Sequence, residues 1–222
     1  KARPFQGRLL REWLNGSTQA TQQKVKAAIR MGFVEGLTTG DIVRSIRGTR
    51  TTPGIMKATR RGTEALVRTA LNHTSNIAKN ELYKENPHII KRVAWISSID
   101  SRTTPVCMSR DGNIYPVNSG PRPPAHIGCR STTIGLLAGQ GLEDLGTRSS
   151  VDGQIPANKT YGEWLKGRPA SEQDEILGKT KGQLFRKGGL TVDKFVEPKT
   201  GKEYTLDTLR KREAAAFEKA GL

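Results

Sequence analysis

Two short stretches hold most of the residues able to do chemistry: WISSIDSRTTPVCMSRDG, residues 95–112, and GPRPPAHIGCRST, residues 120–132. They contain the chain's two cysteines, Cys107 and Cys129, with His126 three residues before the second. Arg102 and Arg130 stand beside acid and thiol. One chemistry this suggests is zinc binding. Cys107, His126 and Cys129 are soft or borderline ligands, and a His-x-x-Cys pair can reach one ion from a single turn. A structural ion wants a fourth ligand, which only Asp100 or the distant His73 or His88 could supply. Paired cysteines at close spacing are missing, since Thr104 and Ser131 stand near the two present. No metal and no other cofactor is therefore assigned.

A second chemistry is nucleophilic catalysis, with a cysteine thiol, His126 as its base and Asp100 orienting the imidazole. Neither a Gly-rich oxyanion loop nor a helix N-terminus lies beside a cysteine in the sequence. Three histidines in the whole chain leave little acid–base machinery, so no catalytic residue is assigned. The third reading is a structural polar network. An aspartate directly after a strand accepts from successive backbone amides, and Asp100 can form a bidentate pair with Arg102 or Arg130. Pro121, Pro123 and Pro124 hold the approach to His126 extended, so that His126 could lie across the first loop. Cys107 and Cys129 then pack as small apolar groups, or pair if oxidised. The expected site is this network: Asp100, Arg102, Thr103, Cys107, His126, Cys129 and Arg130.

The elements that must position these residues are legible around them. Ser17 or Thr18 can cap a helix whose apolar face is Val25, Ala28, Ile29 and Phe33, ending at Gly36. A short helix from Thr39 places Ile42, Val43 and Ile46 on one side and stops at Gly48. The longest periodic stretch, residues 57–85, repeats Leu66, Val67, Ala70, Leu71, Ile77, Ala78 and Leu82 at three- and four-residue spacing, and Asn86-Pro87 closes it. Residues 92–99, 112–117 and 131–137 read as strands. Residues 139–153 are rich in glycine and serine and read as a loop. Thr160 with Glu163, and Ser171 with Asp174, have capping-box spacing. A helix over 180–187, a tight hairpin over 197–204 and a charged helix from Thr205 or Asp207 to Gly221 complete the chain.

The fold class expected is α+β, with a helical N-terminal half, a small central β-sheet and a helical C-terminal extension. Four segments follow: a basic helical segment (1–56), an α+β core (57–140), a loop or linker (141–159) and the extension (160–222).

Composition narrows the partners. Hydrophobic residues make up 34% and aromatic residues 5% of the 222 residues, a low content that suggests a partly extended chain or burial completed against neighbouring subunits. No apolar run approaches the length of a membrane span. No basic-then-apolar signal segment opens the chain, and the lack of an initiator Met suggests a processed or partial chain. Net charge is +16. Residues 1–80 hold 15 basic and 4 acidic side chains, while residues 141–222 hold 15 and 13. Generic solvation would spread the excess evenly, so a polyanionic partner of the N-terminal third is expected, nucleic acid or an acidic protein surface. The candidate contacts to nucleic acid are Lys24, Lys26, Arg30, Arg44, Arg47, Arg50, Lys57, Arg60 and Arg61.

Trp95 on a strand, then Asp100-x-Arg102-Thr103, Cys107, a turn at Gly112 and Pro123-Pro124-x-His126-x-x-Cys129-Arg130 together resemble the phage Mu F-like minor head proteins, also called phage head morphogenesis proteins. RRGTEALVRTALNHTSNIAKNELY, with Arg68 and Thr69, is similar to that family's preceding helix, and GLTTGDIVRSIRG to the short helix before it. The resemblance covers residues 36–134, and residues 161–212 are similar to an extension found in some members. Many relatives carry a second cysteine near each of the two, which speaks against zinc in this chain. The resemblance implies a non-enzymatic virion component of a tailed phage, inside the head near the portal, after assembly in the host cytoplasm. Its implied work is head assembly and DNA packaging and ejection. The implied partners are the portal, other head proteins and packaged double-stranded DNA held without base readout. The competing expectation is a small nuclease or transferase-type toxin using His126 with Arg102 or Arg130 at a phosphate.

Overall fold

The structure is a computed structural model that describes residues 18–57 and 59–222. The architecture is α+β, as the sequence predicts. Its contacts divide into two compact units: the residues up to Glu81 with His126–Cys129, and Leu82–Ala125 with Arg130–Leu222.

In the first unit, helix α1 (Gln19–Val34) is capped by Thr18, whose hydroxyl accepts from Thr21 N. Helix α2 (Thr39–Arg47) is capped in the same way by Thr38, which accepts from Asp41 N. Helix α3 (Arg60–Glu85) begins three residues later than its periodicity predicts, where the Thr59 hydroxyl accepts from Gly62 N at 3.1 Å. Val25 and Ile29 of α1, Ile42, Val43 and Ile46 of α2, and Leu66 and Val67 of α3 form one apolar core. Gly32 sets how closely α1 and α2 approach, because an added Cβ would lie 2.5 Å from Ile42 Cγ1.

The apolar face predicted for the second half of α3 is not the one buried. Ile77 and Leu82 are exposed, whereas Thr69, Asn76 and Asn80 are buried. The turn preference of Asn and Thr gave no reason to place them inward. Their side chains carry hydrogen-bonding capacity that a buried helix face can use, and Thr69 uses it as described below.

In the second unit, strands β1 (Ile90–Ile96), β2 (Ile114–Pro116) and β3 (Thr132–Leu137) form an antiparallel sheet in the order β2-β1-β3. Ala94 faces Ile114 on one side and Ile134 on the other. Val93, Ala94 and Trp95 are fully buried, which fits the β-branched and aromatic run that signals β1. Helix α4 (Pro105–Arg110) follows β1, with Pro105 in its first turn.

The stretch expected as a linker, 141–159, instead holds a hairpin of β4 (Thr147–Ser150) and β5 (Gly153–Pro156). Its strands are four residues each, β4 mostly hydroxyl-bearing and β5 bounded by Gly153 and Pro156, so alternation is weak and the glycines dominate the sequence signal. Helix α5 (Tyr161–Lys166) has the complete Thr160–Glu163 capping box. Helix α6 (Ala170–Leu177) has none: Pro169 precedes it, and Asp174 pairs with Arg186 instead of capping. Helix α7 (Lys179–Arg186) and the turn closed by the Val196–Glu203 bridge stand where expected. The terminal helix is two, α8 (Leu206–Arg212) and α9 (Ala214–Ala220), broken at Glu213. Leu184, Phe195, Leu209 and Phe217 form the core of this end, while Ile99, Met108, Tyr161, Trp164 and Leu165 form a second cluster.

Candidate functional site

Asp100 lies just beyond β1, where the chain turns into the Asp-x-Arg-Thr loop. Its carboxylate accepts from Arg102 N at 3.0 Å, and Arg130 donates to both oxygens, Nη1 to Oδ2 at 2.5 Å and Nη2 to Oδ1 at 2.6 Å. Of the two arginines considered as partner, Arg130 forms the bidentate pair. Arg102 is a looser neighbour at 3.6 Å, and its side chain is 79% exposed. Thr103 closes the loop by donating to Ser98 O at 2.6 Å. Tyr161 OH donates to the Asp100 carbonyl at 2.8 Å.

The hydrogen bonds from Arg130 hold the Asp100 carboxyl down at about 2, against burial and with help from Arg102. Tyr161 moves the other way, its hydroxyl pushed up by burial and by the negative charge of Asp100. A carboxylate clamped by a guanidinium stays ionised at any ordinary pH and offers no proton to a reaction.

The His126–Cys129 loop is held separately, by α3. Thr69 Oγ1 accepts from Gly128 N at 2.8 Å, and Asn72 Nδ2 donates to Cys129 O at 2.7 Å. One turn of helix thus clasps the backbone of two consecutive residues, Gly128 and Cys129. His126 Nδ1 lies 2.8 Å from Ile127 O, an arrangement that fits a proton on that nitrogen. Cys129 is fully buried, and Cys107 is buried in α4; both are in thiol form.

A second polar centre was not anticipated from the sequence. Asp111, with no exposed side-chain surface, accepts from Arg148 Nη1 at 3.0 Å and Nη2 at 2.8 Å. It also accepts from Ser97 N and from Tyr161 N, each at 2.7 Å. Ser97 Oγ in turn receives Trp95 Nε1 at 2.9 Å, and lies 2.9 Å from Cys107 O and 3.0 Å from Ser131 Oγ. A buried aspartate with four donors ties β1, α4, β4 and α5 together. The one signal available was Asp111-Gly112 as a turn. Arg148 lies in the glycine- and serine-rich stretch whose composition reads as a linker.

The nine candidate cations, Lys24, Lys26, Arg30, Arg44, Arg47, Arg50, Lys57, Arg60 and Arg61, are all exposed. Arg44 is paired with Asp41 on its own helix.

The model of the family described as Phage Mu protein F like protein matches residues 23–134. The chain belongs to that family. No curated protein and no solved structure matches it. The Mu F-like stretch contains Asp100, Arg102, Thr103, Cys107, His126, Cys129, Arg130 and all nine candidate cations. It ends before Arg148 and Tyr161, so part of what braces the Mu F-like core comes from the chain beyond it. Membership supports a phage head morphogenesis protein, with the virion as its place and other head proteins as partners. No helix among the described residues is long and apolar enough to cross a membrane.

Proposed function

We propose that this protein is a structural, non-enzymatic component of a tailed-phage head, sited inside it near the portal and built in during assembly in the host cytoplasm. It assists head assembly and DNA packaging and ejection by holding double-stranded DNA through its phosphates and by contacting neighbouring head proteins. One observation carries this reading: all nine candidate cations of residues 24–61 are exposed. Such a surface neutralises phosphates without reading bases, which suits DNA of any sequence. The clamped Asp100–Arg130 pair supports a structural part for the Asp-Arg-Thr loop.

Binding of short duplexes of unrelated sequence, followed by fluorescence anisotropy at rising salt, tests the DNA arm. Affinities should agree between sequences and fall steeply with salt. Antibody detection of the chain in purified heads tests the rest. Turnover of DNA or of a nucleotide by the parent, abolished by His126→Asn, would establish the toxin-type enzyme in its place.

A further inference from the structure

Within the first unit, α1 and α3 leave between them an open groove of about 360 Å³. Its floor and walls are apolar: Ile29 and Phe33 from α1, Ala70 and Leu71 from α3. Ile29 belongs to the core, so the floor of the groove is the edge of that core laid open. Phe33 remains 46% exposed. The apolar exposure continues along the end of α1, where Met31 is 53% and Val34 75% exposed, the latter the highest value for a large apolar residue among those described. Concentrated apolar surface on a folded unit marks a contact site.

Lys26 and Arg30 of α1 and Thr74 of α3 complete the lining. Positions 26, 29, 30 and 33 share one face of the helix, so cations alternate with apolar side chains along the same wall. Helix α1 holds no acidic residue, and no ion pair engages Lys26 or Arg30 among the described residues. A trough between two helices accepts the ridge of a third.

We infer that this groove receives an amphipathic helical segment of another protein, with an apolar stripe seated against Ile29, Phe33 and Leu71 and acidic residues set to meet Lys26 and Arg30. A DNA backbone would use the two cations and gain nothing from the apolar floor. A second copy of this chain paired through the same face would bring its own basic N-terminal third, 15 basic against 4 acidic residues, up to the same cations. The inference rests on the reading as a head component only for where the partner is found, since the groove's chemistry stands without it.

The probe is a fluorescent designed helix with leucines at i, i+3, i+4 and i+7 and glutamates on both flanks. Its control is the isomer with lysine in place of every glutamate, and both are titrated against the full chain. The acidic helix should bind and the lysine isomer should not. Lys26→Glu with Arg30→Glu should weaken the acidic helix roughly tenfold or more and allow the lysine isomer to bind. Phe33→Ser should weaken both pairings. Because Lys26 and Arg30 are exposed, the charge-reversed chain keeps its fold, and it decides the matter even if Phe33→Ser loses helix content.

Equal affinity of the acidic helix for all three chains would overturn the inference, as would equal binding of the two isomers by the parent. Self-association of the chain abolished by Phe33→Ser would assign the groove to a second copy instead. Duplex DNA binding lost with Phe33→Ser, beside no binding of the acidic helix, would assign it to nucleic acid. Absence of the chain from heads would end the virion reading and leave these affinities as they are.

Discussion

Arg130 grips both carboxylate oxygens of Asp100, at 2.5 and 2.6 Å, across 30 residues of sequence. The pair is partly shielded, with 23% of the Arg130 and 18% of the Asp100 side chain exposed. Its sign in a pH titration follows. The Asp100 carboxyl sits at about 2 when folded, against an ordinary 3.8. Between those values the unfolded chain binds the extra proton, so stability rises with pH there. The contribution is fully present above the ordinary value and is lost as acid carries the carboxyl through about 2. After allowance for solvent screening the pair is worth about 1–2 kcal/mol. Arg130→Gln should therefore cost that much at neutral pH and flatten the acid limb. Urea denaturation at pH 7 and at pH 3 would show both effects, and parallel curves for parent and variant would count against the clamp.

The buried Asp111–Arg148 pair predicts a larger loss. Asp111→Ala strips Ser97 N and Tyr161 N of their acceptor and leaves Arg148 charged in a dry site. Removing one partner of a buried pair costs about 3–5 kcal/mol. Replacing Asp111 by Leu and Arg148 by Met together should recover part of it, since no lone charge is left inside. The same contacts predict that a chain stopped at residue 140, which keeps the whole Mu F-like stretch, loses cooperative unfolding. Arg148 and Tyr161 both lie beyond that point. Calorimetry of the truncated chain, set beside the two variants, checks the argument.

The Mu F-like motif and most of the elements could be read from residue types because their signals are local. Thr18, Thr38, Thr160 and Thr205 cap helices where a hydroxyl precedes an apolar period, and each accepts from the backbone three residues on. The run around Trp95 is β-branched and aromatic and pairs on both sides. What escaped is set by distant partners. Asn76 and Asn80 look like a solvated face until they prove buried. Ser171 and Asp174 have capping spacing, yet Asp174 is drawn to Arg186 of the next helix. Arg148 gains its meaning from Asp111, 37 residues earlier, and from the Ser97 carbonyl. No local pattern encodes such pairings, and the choice between Arg102 and Arg130 as the clamp on Asp100 was open for the same reason.

The clasp of α3 on residues 128 and 129 predicts a local effect. Thr69→Val removes the acceptor for Gly128 N, and Asn72→Ala the donor to Cys129 O. Each should cost about 1 kcal/mol, more if the freed backbone group stays dry. The sharper readout is hydrogen exchange, because the Gly128 amide should lose protection in Thr69→Val while amides of β1 keep theirs. Unchanged exchange at Gly128 would mean the loop holds its shape without the helix.

Salt dependence separates the cations proposed to hold DNA from those that line the groove. Lys24 and Arg50 are exposed, and neither lines the groove. If they neutralise phosphates, Lys24→Gln and Arg50→Gln should each shallow the plot of log affinity against log salt by about one unit. The loss should be the same for duplexes of any sequence, because a contact to phosphate carries no base information. Phe33→Ser should leave that slope unaltered, since it removes apolar surface and no charge. A slope that survives both lysine and arginine replacements, while Phe33→Ser weakens duplex binding, would move the DNA contact into the groove.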